Sequence, residues 1–121
     1  MLNLQEQTQY KIQSTESMEQ IGFVRWFRSR YPGVLIFHIP NGGARHIVTG
    51  KKLKDEGVVA GVPDLFIPLW SCWIEMKKKS GGVVSFEQTH IHKYLEGIGH
   101  KVIVGYGAED ASRKLLQFRN L

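Results

Sequence analysis

Apolar positions recur along this 121-residue chain with two different periods, and each change of period marks an element. Residues 1–13 are polar and Gln-rich. Within STESMEQIGFVRWFRSRYPG, Gln20, Phe23, Val24 and Phe27 then recur at helical spacing, and Pro32-Gly33 closes the segment. VLIFHI (34–39) is β-branched and aromatic and predicts a strand. Pro40-Asn41-Gly42-Gly43 breaks the chain, and ARHIVTGKKLKDEG predicts a weaker, basic helix with Gly57 as its stop. DLFIPL and CWIEMK are joined tightly enough to predict a β-hairpin, and Gly81-Gly82 predicts a turn. SFEQTHIHKYLEGIG predicts a helix whose apolar stripe is Ile91, Tyr94, Leu95 and Ile98, with Ser85 and Gln88 in capping-box positions. KVIVGY predicts a short buried strand and AEDASRKLLQFRNL a closing helix. The order α-β-α-β-β-α-β-α predicts one α/β domain over 14–121 behind a loose arm at 1–13.

Composition adds little to this picture. A hydrophobic fraction of 42% suffices for one compact core. The net charge of +5 and pI of about 9.5 suit a polyanionic partner and give weak support to nucleic acid. Cys72 is the lone cysteine, which excludes an internal disulfide and a cysteine-cluster zinc site. No signal-peptide layout opens the chain, and no apolar run nears the roughly 20 residues that span a bilayer. A reducing cytoplasm, bacterial or in a phage-infected cell, is the expected compartment, with no membrane partner.

Candidate chemistry centres on the hairpin. Glu75 and Lys77 alternate along a strand and so project to one face, with Ile74 and Met76 on the other. Asp64 opens one strand and Glu75 nears the end of the next, so an antiparallel fold-back brings them together. Two acids and a lysine on one face are what metal-assisted phosphodiester cleavage needs. The acids hold a hard divalent cation such as Mg²⁺, and the lysine orients water or neutralises developing charge. The plain alternative is a turn-capping Asp64 and a solvated strand face. Gln88 falls on the packing face of its helix, either as a pure cap or aimed at the acids. Glu16 and Glu19 lie on the first helix near Phe23 and Phe27, where an acid needs a partner. In PNGGARHIVTGKKLK, Asn41, Gly42, Gly43, Arg45, His46, Lys51 and Lys52 make a candidate phosphate-tracking surface, or simply a solvated face. His90 and His92 are two apart and do not share a face, so no metal pair is expected there. Trp70 and Trp73 bracket the hairpin tip, with core packing as the default.

The ordered set EQ (Glu19-Gln20), PNGGAR (40–45), GVPDL (61–65), IEMK (74–77) and SFEQ (85–88) resembles a stand-alone VRR-NUC domain, a branch of the PD-(D/E)xK, restriction-endonuclease-like nucleases. The resemblance runs from about Glu16 to the last helix. It implies a mixed sheet flanked by helices and Mg²⁺- or Mn²⁺-dependent cleavage of DNA that leaves a 5′-phosphate. It implies Asp64, Glu75 and the Met76 carbonyl as metal ligands, Lys77 as the catalytic lysine and Gln88 as the glutamine completing the site. Glu19 is implied as the first-helix ligand, with Glu16 close in register. Stand-alone members act as homodimers on branched DNA such as four-way junctions, whereas a larger enzyme with the same module cuts flaps as a monomer. A non-catalytic branched-DNA-binding module and an RNA-directed nuclease of the same fold are the alternatives.

Overall fold

The computed structural model describes residues 14–40 and 47–120. The expected arm at 1–13 and the expected DNA contacts Asn41, Gly42, Gly43, Arg45 and His46 lie outside the described residues. The elements are α1 (Glu16–Arg30), β1 (Phe37–His38), α2 (Ile47–Asp55), β2 (Leu65–Ile67), β3 (Cys72–Lys77), α3 (Phe86–Gly97), β4 (Lys101–Tyr106) and α4 (Ala108–Arg119). A 3₁₀ turn at Pro68–Trp70 joins β2 to β3. The order agrees with the sequence reading. The four strands form one sheet in the order β1-β2-β3-β4. β1–β2 and β2–β3 are antiparallel. The Lys101 N–H donates to the Ser71 carbonyl and the Gly107 N–H to the Lys77 carbonyl, a constant offset that marks β3–β4 as parallel. The sheet is therefore mixed, with α3 as the crossover between its parallel strands. No helix among the described residues is long and apolar enough to cross a membrane.

Contacts divide the chain into two compact units, and β3 and β4 each contribute residues to both. The first comprises 14–32, 76–82 and 104–120. Thr15 caps α1, its hydroxyl accepting the Met18 N–H. Glu19, Phe23 and Phe27 then recur every four residues on the buried face. Met76 of β3 and Ala111 and Leu115 of α4 are buried in the same unit, and α1 packs on α4. Close approach of β4 to α4 requires Gly105, where an added Cβ would fall 2.8 Å from the Ala111 Cα.

The second unit comprises 33–75 and 83–103. Leu65, Ile67, Cys72 and Ile74 alternate inward across the hairpin and are all buried. The Ser71 backbone is left-handed (φ 46°), which lets the short turn reverse the chain. The strand expected over 34–39 is only Phe37–His38, an edge strand with both side chains exposed. Pro63 and Pro68 flank its partner β2, and the missing proline N–H groups limit the ladder on offer. Gly57 does end α2, with φ 107°.

The stripe expected on α3 is corrected. Leu95 is buried, but Tyr94 and Ile98 are exposed, at 65% and 55%. The buried line runs instead through His92 and Leu95, with Gln88 half-buried one turn before.

Gly105→Ala is expected to cost about 1–3 kcal/mol through overpacking against Ala111. A lowered urea midpoint with an unchanged m-value would register it.

Candidate active site

Asp64 is delivered by a tightly held loop. Gly61 has φ 94°, and an added Cβ would lie 2.6 Å from the Glu87 carbonyl carbon and 2.9 Å from the Gln88 nitrogen. The chain thus crosses the first turn of α3 with no room for a side chain. Pro63 is buried, and its ring fixes its own φ. The Asp64 carbonyl then accepts the Ile39 N–H at 2.8 Å, which continues the β1–β2 ladder, and lies 2.9 Å from the His38 Nδ1. Asp64 therefore has sheet geometry although β2 proper starts at Leu65.

The hairpin register supplies the decisive geometry. Leu65 pairs with Ile74, Phe66 with Trp73 and Ile67 with Cys72. One more pair in that register sets Asp64 opposite Glu75. Directly opposed residues share a face, with Cβ atoms about 4.5–5.5 Å apart. Glu75 is 1% exposed and Lys77, two residues on, is 8% exposed. Acids and lysines are almost never so buried without partners. The Glu75 Oε1 lies 3.3 Å from the Nε2 of His92, itself buried. A carboxylate oxygen in that place accepts from the ring in the tautomer that carries its hydrogen on Nε2.

Gln88 completes a capping box on α3. Its Oε1 accepts the Ser85 N–H at 2.9 Å, and the Ser85 hydroxyl accepts the Gln88 N–H at 3.1 Å. The amide oxygen is thus committed to the cap. Glu16 and Glu19 are now distinguished: Glu16 is exposed and Glu19 is buried. Within the first unit the Glu19 Oε1 accepts the Ala108 N–H at 2.8 Å, at the start of α4. The α4 N-cap is Gly107, which has no side chain to do so. A hydrogen bond from Ser14 holds the Glu19 carboxyl below its usual range. Burial opposes the shift, and the Ala108 N–H and the charge of Lys79 reinforce it. Lys51 and Lys52 are exposed on α2, and Lys51 pairs with Asp55 at 3.5 Å.

Among the described residues, no three His, Cys, Asp or Glu side chains are grouped to hold a metal ion. The acids that the register brings together are Asp64 and Glu75. That pair fits Mg²⁺ or Mn²⁺, which accept one or two carboxylates and leave remaining positions to water and substrate phosphate.

The residue that sequence reasoning missed is His92. The signal was present, because His92 lies four residues after Gln88 and three before Leu95, on the packing face. His90 and His92 do not share a face, and of the two only His92 is buried.

No family model and no curated protein matches the chain. A solved structure described as a VRR_NUC domain protein does, with a TM-score of 0.75 at 24% identity over 89% of this chain and 90% of that one. The two share a fold. In this VRR_NUC-like fold, the hairpin carrying Asp64 and Glu75 and the parallel strand β4 belong to one sheet.

Glu19→Gln is expected to lower stability by about 0.5–2 kcal/mol at neutral pH through loss of a charged helix cap. Because the folded carboxyl titrates below its ordinary 4.5, the wild-type advantage is full above that value and disappears as pH falls through the folded pKa. Urea denaturation of both proteins across pH 3–7 checks the convergence.

Proposed function

We propose that this protein is a divalent-metal-dependent, structure-selective DNA endonuclease. One observation carries the reading: Asp64 opposes Glu75 in the hairpin register, and the buried Lys77 follows Glu75 by two residues on the same strand. Asp64 and Glu75 would hold Mg²⁺ or Mn²⁺, with the intervening Met76 carbonyl as a further oxygen donor. When bound, the cation supplies Lewis-acid charge for the scissile phosphate and lowers the pKa of water.

The chain's own residues supply positioning and charge. Lys77 orients the attacking water and balances charge on the phosphate oxygens. Its buried stem fixes the ammonium more narrowly than an exposed lysine would be held. Gln88 fixes the first turn of α3 against the Gly61 loop, which keeps Asp64 in register. Glu19, expected as a third ligand, is assigned the cap of α4 in this reading. Lys51 and Lys52 offer exposed charge for phosphate contacts.

Branched DNA, four-way junctions foremost, is the proposed substrate, cut to leave a 5′-phosphate by a homodimer in the cytoplasm. The motif set shared with stand-alone VRR-NUC domains supports that choice, as does the shared fold. A non-catalytic branched-DNA-binding module would use the same basic surface but has no need of an opposed acid pair beside a buried lysine.

Asp64→Ala and Lys77→Ala are each expected to reduce cleavage by on the order of 10²–10³-fold or more, with junction binding retained. Labelled four-way junction, flap, linear duplex, single strand and a matched RNA junction, each with Mg²⁺, Mn²⁺ or EDTA, provide the assay. Binding of the junction without cutting in either metal would replace this reading with the non-catalytic module. Metal-dependent cutting retained by Asp64→Ala would refute the assigned site.

A further inference from the structure

His92 is buried, points inward from α3 and meets the most deeply buried carboxylate among the described residues, yet nothing in the motif set gives it a task. Three observations bear on what it does. Its Nε2 meets the Glu75 Oε1 at 3.3 Å, and Glu75 is 1% exposed. The contact joins α3 to the central strand β3 across seventeen residues, so it is tertiary and not a local turn. α3 is anchored at its start by the Ser85–Gln88 capping box and by the Gly61 loop that leads to Asp64. One helix thereby touches both halves of the acid pair: backbone contact sets the loop before Asp64, and His92 sets the carboxylate of Glu75.

We infer that His92 is a positioning residue that fixes the rotamer of Glu75 by donating from Nε2 to Oε1, so that the carboxylate meets a divalent cation in a single orientation. This deepens the proposed function and rests on it. A carboxylate turns about its last torsion with little resistance, because that torsion is broad and nearly two-fold. A donor fixed on a helix removes this freedom before a cation arrives. Hydrogen-bond partners of ligating carboxylates act in this way in metal sites generally, and their loss costs about 10–100-fold in metal affinity or activity. His92 itself touches neither substrate nor cation. Leu95, on the next turn, is buried and helps hold the imidazole's helix face inward.

The test measures Mn²⁺ binding directly, by electron paramagnetic resonance titration of the full chain without DNA. Wild type, Asp64→Ala, His92→Leu, His92→Gln and His92→Asn are compared, with thermal unfolding of each. His92→Leu is expected to bind Mn²⁺ about 10–100-fold more weakly than wild type. His92→Gln, whose amide nitrogen reaches close to the Nε2 position, is expected to recover to within a few-fold of wild type. His92→Asn, one methylene shorter, is not. If His92→Leu fails to fold, the Gln and Asn variants carry the comparison. Equal Mn²⁺ affinity across the folded variants, or equal loss in His92→Gln and His92→Asn, overturns the inference and leaves His92 as a partner of a buried acid only. Absence of Mn²⁺ binding by wild type, or binding unchanged in Asp64→Ala, overturns the metal site itself, a distinct failure.

Discussion

Everything at the candidate site depends on the register of one short hairpin. β2 has only three residues, Leu65–Ile67, and the turn from Pro68 to Trp70 returns the chain directly into β3. Leu65, Ile67, Cys72 and Ile74 bury one side of that ribbon. Sliding β3 by one residue would turn these inward side chains out and bring Glu75 onto the apolar face. The hydrophobic side thus specifies where the acids lie on the other. The acid pair is secured by residues that take no part in its chemistry.

Burying charge is the second constraint. Glu19 and Glu75 are both withdrawn from water, and an unpaired buried carboxylate costs several kcal/mol. The fold meets the two costs differently. Glu19 receives a backbone N–H from the start of α4 and a hydrogen bond from Ser14, which together make it a structural cap. Glu75 faces a side-chain imidazole. An acid satisfied by backbone N–H groups is committed, because the backbone cannot move aside. One held by an imidazole is met by a side chain whose place is set by the packing of its helix. The same residue type is therefore satisfied by backbone in one unit and by a side chain in the other.

The aromatic residues beside the acids follow from the same pleat. Phe66 and Trp73 oppose one another at 4.1 Å between ring centroids, and Phe37 meets Phe66 edge-on at 5.9 Å. The Trp73 indole N–H donates to His100 Nδ1 at 2.8 Å. These rings lie across the strands on the face that also bears Asp64 and Glu75, since alternate residues share a side. They stiffen the hairpin and the approach to β4, which supports the register on which the acid pair depends.

Periodicity and punctuation carried most of the fold in the sequence itself. The element order, the hairpin, the capping box and the Gly57 stop are local, set by neighbours within a few residues of one another. The opposition of Asp64 and Glu75 was legible too, because a tight turn between two short runs allows few registers. Other features depended on partners far along the chain. The edge position of β1 left Phe37 exposed despite a strongly β-forming run. Tyr94 and Ile98 are apolar at helical spacing, yet the sheet covers only part of α3 and leaves them in water. Whether Glu16 or Glu19 turns inward, and that Glu19 caps a helix 89 residues away, rests on how α1 packs against α4. His92 was visible as a residue and invisible as a partner. Its spacing gave its face, but only the tertiary structure decided that Glu75 would stand opposite, because a hydrogen bond between distant residues is fixed by packing and not by the local chain.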